Sequence, residues 1–283
     1  MIDFLNPTTV RPLLQAATVL VSLALAAPRL FSQSATLDST HKVDKTFFTR
    51  QDAVMSAAAF AVSAGVSVFD LRVANWSQQP SIQGSAARRR LVNDLTVVNE
   101  QPLTIGAALT YGIGRLAGSP LIADVGLHTT ETLVLTVAMS ELIRSPLGRE
   151  RPRVSQTTQY KFKFGGGFTD FAARSYPSIH AAAAFGTAAA LTSEIGERST
   201  RAEWIVGPVL YTAALIPPLS RIYLDQHWAS DIVAGAFLGT LLGNKVVQYA
   251  HSHRRSKLDR WLLGTIALPN GTGGVLVMKS IDW

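Results

Sequence analysis

Three short segments hold the residues best suited to chemistry in an otherwise apolar chain. The first, Arg144-Ser-Pro-Leu-Gly-Arg149-Glu-Arg151-Pro152-Arg153, places four guanidinium groups within ten positions at the end of a predicted helix. Guanidinium is permanently charged and matches phosphate oxygens bidentately. The second, Tyr176-Pro177-Ser178-Ile179-His180, opens an Ala-rich helix. Ser178 is suited to cap it, and the first backbone N–H groups then point towards an anion, with His180 beside it. The third runs from Ser220-Arg221 to His227 and Asp231. If His227 lies on a helix, Asp231 at i+4 shares its face, can bond one ring nitrogen and leaves the other more basic. Each segment alone has a plainer use: a solvated arginine face, a cap-region histidine, a structural His–Asp pair. Together they are the parts for in-line phosphoryl transfer through a phosphohistidine.

The pattern Arg-x6-Arg-Pro, Pro-Ser-x-His, Ser-Arg-x5-His-x3-Asp resembles the three-part signature of the type 2 phosphatidic acid phosphatase superfamily, which also holds class A bacterial acid phosphatases and vanadium haloperoxidases. The resemblance spans Arg144 to Asp231 and implies a helical fold and roles for named residues. Arg144, Arg151 and Arg221 would bind phosphate oxygens, Ser178 would add its hydroxyl, and the Ile179 N–H would close the anion site. His227 would attack phosphorus, held by Asp231. His180 would protonate the leaving alkoxide and then activate water. No metal or cofactor is required by that mechanism. Two departures stand out: Arg144 replaces the usual Lys, and Ile179 replaces the usual glycine, where a β-branched residue would distort the site if a positive φ were needed.

The elements that must position these residues read as helices. Apolar spacing predicts helical stretches over Ala53–Phe69, Arg88–Asn99, Pro102–Ala117, Ile122–Arg144, His180–Glu194, Glu203–Leu215 and His227–Tyr249, with a loop over Asn75–Ser85. The expected architecture is an all-α helical bundle over 53–250, followed over 251–283 by a basic tract and a small β-hairpin, its strands Leu263–Leu268 and Gly274–Ser280 flanking Pro269-Asn270-Gly271. Residues 1–27 read as a signal peptide or N-terminal anchor and 28–52 as a linker or arm. Gly165-Gly166-Gly167 follows no strand and lacks the Lys-Ser/Thr of a nucleotide loop, so it reads as a flexible loop beside the site.

Composition narrows the rest. The 283 residues are 47% hydrophobic and 16% charged, which rules out a mainly disordered chain. No cysteine is present, which excludes a disulfide framework, a Cys-ligated metal and thiol catalysis. The net charge of +7 is compatible with nucleic acid, anionic lipid or phosphorylated substrates. With the arginine cluster assigned to the site and no basic strand interleaved with aromatics, nucleic acid is set aside.

A phosphorylated lipid is favoured over a small soluble phosphomonoester because Ala53–Phe69, Ile205–Leu219 and Ile232–Gly243 are long and apolar and the loop Tyr160–Phe171 is aromatic-rich, with Lys161 and Lys163 placed to meet an anionic headgroup. Asp124, His128, Glu131 and Glu141 within one helix weigh against full embedding. The expected setting is the bacterial cell envelope with the site on the periplasmic side. Alternatives are a soluble periplasmic acid phosphatase, a vanadate-dependent haloperoxidase and an inactive phosphate-ligand binder.

Overall fold

The computed structural model describes residues 46–252. The 1–27 segment, most of the 28–52 arm, and the hairpin and most of the basic tract assigned to 251–283 lie outside the described residues. Within them the chain forms ten α-helices: α1 (Arg50–Ser67), α2 (Asp70–Ser77), α3 (Pro80–Gln83), α4 (Ala86–Leu95), α5 (Glu100–Leu116), α6 (Pro120–Leu147), α7 (Ile179–Gly196), α8 (Thr200–Ala213), α9 (Ile216–Tyr223) and α10 (Ala229–Ser252). The described residues contain no β-strand, only an isolated antiparallel bridge between Arg149 and Phe162. The all-α expectation therefore holds for them.

Local signals set the ends. Thr49 and Asp52 form a reciprocal capping box at the start of α1, and Ser178 caps α7 by accepting from the Ala181 N–H. Pro120 opens α6, and Gly148 ends it with φ 65°, where a Cβ would lie 1.7 Å from the Lys163 carbonyl oxygen.

The centre is the α7–α10 pair, flanked by α6, α8 and α1. Its close approach is written in small residues. Alanines 181–184 and 188–190 of α7 are buried, and Ala181, Ala182 and Ala189 meet a glycine stripe on α10 that includes Gly239, where a Cβ would fall 2.0 Å from the Ala182 carbonyl oxygen. Trp228, Tyr211, Leu133, Ile232 and Leu242 fill the remaining interior.

Three expectations need correction. Asn75–Ser85 is not one loop, because α2 runs into it and Pro80 starts the single turn α3. Ile205–Leu219 is not one helix, because α8 ends at Ala213 and α9, which carries Arg221, begins at Ile216. His227 precedes α10 instead of lying on it, since the Asp231 carboxylate accepts the Trp228 N–H at 2.8 Å in the manner of an N-terminal cap.

Two helical stretches, Pro120–Leu147 and Thr200–Tyr223, are long and apolar enough to cross a membrane, and α1 with α2 forms a pair bent by 56° that meets the same test. The stretch Ile232–Gly243 is instead mostly buried within the bundle. The polar residues of α6 are accommodated internally or by partners: His128 and Glu131 are buried, Glu141 pairs with Arg144, and Asp124 pairs with Arg198 at 3.3 Å. Apolar side chains such as Phe60, Ile105, Leu109, Leu142, Ile205 and Val209 face outward around the bundle.

Candidate active site

Chain segments from all three motifs converge where α7 and α10 begin. His227 sits in the turn between α9 and α10, 2% exposed. Its Nδ1 lies 2.9 Å from the Ser175 carbonyl oxygen. A carbonyl only accepts, so Nδ1 carries the hydrogen and Nε2 keeps its lone pair. That lone pair lies 3.3 Å from His180 Nδ1, which must then be the donor between the two rings. His180 Nε2 in turn lies 3.8 Å from a Glu100 carboxylate oxygen.

By its i+4 spacing Asp231 is expected to bond the His227 ring. Its Oδ2 is 3.6 Å from Nδ1, beyond a hydrogen bond, and the Ser175 carbonyl takes that place. Asp231 is instead the hub behind the histidine. It is fully buried, accepts from Ser175 Oγ at 2.5 Å, from Trp228 N at 2.8 Å and from Arg149 Nη1 at 2.6 Å, while its own carbonyl accepts from Ser178 N at 3.0 Å. One residue thus ties the second and third motifs together. Electrostatic attraction within 3.6 Å still favours an imidazolium at His227 when one forms.

The arginine cluster divides. Arg149 faces away from the histidine pair: it bridges Asp231 and Asp70 (2.8 Å), donates to Ser230 Oγ at 2.7 Å, and lies over the rings of Phe162, Tyr176 and Trp228. Arg153 donates its backbone N–H to the Asp225 carbonyl at 3.2 Å. The other three behave differently. Arg144 pairs with Glu141, Arg151 donates one nitrogen to Gln226 and stacks 4.1 Å from the Phe171 ring centroid, and Arg221 donates to the Thr96 carbonyl at 3.3 Å. Yet Arg144 Nε, Arg151 Nε and Nη2, and Arg221 Nε are buried donors with no acceptor. All three guanidinium charges act on His180.

Electrostatics follow from this crowding. Burial, then the His227 ring and the guanidiniums of Arg221, Arg151 and Arg144, hold His180 well below the ordinary imidazole value of 6.5. Burial lowers His227 in the same direction, with Asp231 opposing it. Arg151 is pushed down to about 10 by burial and by Arg153, Arg144 and Arg221.

Ser178 is fully buried at the α7 N-terminus and Ile179 is its first helical residue, 3% exposed. Ile179 does not have positive φ; among the described non-glycine residues only Asp225 does, at 56°. The distortion feared at Ile179 is therefore absent, and its N–H is one of the first-turn amides that a helix leaves without an internal acceptor.

The Gly165–Gly167 loop is packed instead of standing open. Gly165 N donates to the Pro146 carbonyl at 2.7 Å, and Gly167 is buried against the end of α6. Lys161 and Lys163, expected to face a headgroup, pair with the buried Glu150 at 3.1 and 3.0 Å. The loop's aromatics are exposed, Phe164 by 80%.

Sequence reasoning did not find Asp70, Ser175, Gln226 or Glu100. In the sequence Asp70 only follows the apolar run Ala53–Phe69, and its partners Arg149 and Ser230 lie 79 and 160 residues away.

Residues 126–255 match the family model described as the PAP2 superfamily. The resemblance drawn from the three motifs is borne out. The PAP2 match contains His180, His227 and the arginines of the first and third motifs. Over 123 residues the chain is 43% identical to a lipid A 1-phosphatase of Porphyromonas gingivalis, an alignment covering 40% of this chain and 26% of that protein. The chain thus matches about a quarter of that relative's length. A transmembrane PAP2 type phosphatidylglycerolphosphate phosphatase from Bacillus subtilis aligns with 83% of this chain and 98% of its own, at 18% identity and a TM-score of 0.45.

Proposed function

We propose that the protein is a membrane-embedded phosphomonoester hydrolase that removes phosphate from a phosphorylated lipid through a phosphohistidine. The observation that carries this reading is the set of buried, unpartnered guanidinium nitrogens on Arg144, Arg151 and Arg221 around the histidine pair. A buried donor without a partner is costly, and an oxyanion bound there would satisfy all of them at once. The three arginines, the Ser178 hydroxyl and the Ile179 N–H form the proposed phosphate site.

In the first step His227 Nε2 attacks phosphorus, the P–O ester bond breaks, and His180 gives a proton to the leaving oxygen. In the second, His180 takes a proton from water, the water oxygen attacks phosphorus, and the P–N bond breaks to release inorganic phosphate. Burial and the His227 ring depress the His180 pKa most; the three arginines add to it, and a phosphate dianion bound to them would offset their share and favour the proton His180 must donate. Asp231, Ser175 and Arg149 fix the His227 ring and stabilise the positive charge it develops.

A lipid substrate is supported by the spanning-length helices and by the exposed aromatics of the Tyr160–Phe171 loop beside the site. The similarity to a lipid A 1-phosphatase points the same way. We place the site on the extracytoplasmic face of the cell envelope. The test is phosphate release in membranes that survive a carbonate wash, with phosphatidic acid compared against p-nitrophenyl phosphate. His227→Ala is expected to abolish release with the helical circular dichroism intact. Undiminished release by that variant refutes the mechanism, and soluble protein preferring the small ester refutes the lipid reading.

A further inference from the structure

A second cluster of ligating side chains lies at the other end of the bundle, and the phosphatase chemistry uses none of it. Glu194 stands near the end of α7, 14 residues after His180, or about 21 Å along the helix. His128 projects from α6 and His251 from the last turn of α10, so the cluster joins three core helices. His128 Nδ1 and His251 Nε2 both address the same oxygen, Glu194 Oε1, the latter at 3.0 Å. The three ligand atoms lie within 4.8 Å of one another.

Hydrogen bonding alone leaves this arrangement lopsided. Glu194 is fully buried, with one carboxylate oxygen serving two imidazoles and the other, Oε2, buried with no partner. A buried acceptor left so is costly. Two imidazoles and a carboxylate are the ligands of many zinc sites, where metal–ligand distances near 2.0–2.1 Å put tetrahedral ligand atoms about 3.3 Å apart. The three atoms already lie close enough together that small side-chain rotations would bring them to that spacing around an ion. Asp124, one turn before His128 on the same face of α6, acts electrostatically on all three residues. His251 is 29% exposed at its side chain and offers an ion a path from solvent.

We propose that His128, Glu194 and His251 bind a divalent transition-metal ion of the zinc class, which clamps α6, α7 and α10 at the end of the bundle opposite the histidine pair. The ion is structural, and the mechanism proposed above does not depend on it. The test uses the full chain without a polyhistidine tag, stripped by chelator, reloaded with zinc and dialysed, with metal measured by plasma mass spectrometry. The wild type is expected to retain one zinc per chain. Glu194→Gln and His251→Ala are expected to lose it, whereas a His180→Ala/His227→Ala double variant keeps it, which separates this cluster from the catalytic pair. Cobalt substituted into the wild type should give the visible bands of a four-coordinate ion. If Glu194→Gln does not fold, the partly exposed His251→Ala decides: its thermal midpoint should be indifferent to chelator while that of the wild type falls. A wild type that retains no zinc, or a His251→Ala protein that retains it fully, overturns the proposal.

Discussion

Arg149 and Arg151 are two positions apart and chemically identical, yet their surroundings differ, and substitution should separate the roles proposed for them. Arg149, 3% exposed, holds two buried carboxylates, Asp231 at 2.6 Å and Asp70 at 2.8 Å. Arg149→Met leaves both without their cation. Removing one member of a buried ion pair costs about 3–5 kcal/mol, which at roughly 2–4 °C per kcal/mol lowers the thermal midpoint by on the order of 10 °C. Because Asp70 contributes much of the stranded charge, Arg149→Met/Asp70→Asn should be less destabilised than the two single changes summed, by about 1–3 kcal/mol. The phosphate site itself keeps its donors, so competitive inhibition by inorganic phosphate should change little even as kcat falls through the misplaced His227. Arg151→Ala is expected to do the reverse. It removes the unpartnered Nε and Nη2, and a charged hydrogen bond is worth about 1.5–3 kcal/mol, so phosphate should bind roughly tenfold to a hundredfold more weakly. Thermal midpoints and phosphate inhibition constants in matched detergent measure both. An Arg149→Met protein of wild-type stability with much weakened phosphate binding would refute the division of the cluster.

Three further outcomes are expected. Ile179→Gly should not accelerate turnover, because Ile179 already has an ordinary helical backbone; it should instead lose about 2–5 kcal/mol from an emptied buried site, read as a lower thermal midpoint. Gly239→Ala should destabilise strongly, since its Cβ would lie 2.0 Å from the Ala182 carbonyl oxygen, whereas Gly65→Ala, with nothing within 4 Å, should be neutral or slightly stabilising; parallel melting curves compare them. Acid should destabilise the protein through its histidine pair. His180 and His227 both have folded pKa values below 6.5, so the unfolded chain binds protons that the folded one does not. Their contribution is fully present above pH 6.5 and is lost as pH falls below it, at up to about 1.4 kcal/mol per pH unit for each histidine. His180→Asn should flatten that slope by one histidine in denaturation measured between pH 7 and 5.

What could be read from the chain beforehand was what lies close together along it. The motif order, the α7 cap at Ser178 and the Ala-rich helix behind it are local patterns, and they appear where expected. The His227–Asp231 hydrogen bond is loosened to a 3.6 Å contact for a physical reason: the i, i+4 rule holds only inside a helix, and the Asp231 side chain spends a lone pair on the Trp228 N–H just ahead of α10. The support behind the site was illegible for a different reason. Arg149 meets its carboxylates across 79 and 82 residues, and no local period encodes which of four neighbouring arginines will turn inward.

The same sorting changes what the positive charge means. A net +7 suggests a field that attracts anions, but field strength outside the protein depends on where the charges lie. Arg144, Arg149 and Arg151 are all buried, and Arg149 is neutralised twice over by Asp70 and Asp231. Arg144 is met by Glu141, while Lys161 and Lys163 are drawn onto Glu150. The cationic groups with buried unpartnered donors, Arg144, Arg151 and Arg221, all act on His180, and in the proposed reading they would meet the phosphate of the substrate. Histidines occur at both ends of the α7–α10 pair, and their neighbours differ: the proposed proton exchange with a phosphate ester rests on the arginines at one end, and the proposed cation site on the carboxylate at the other.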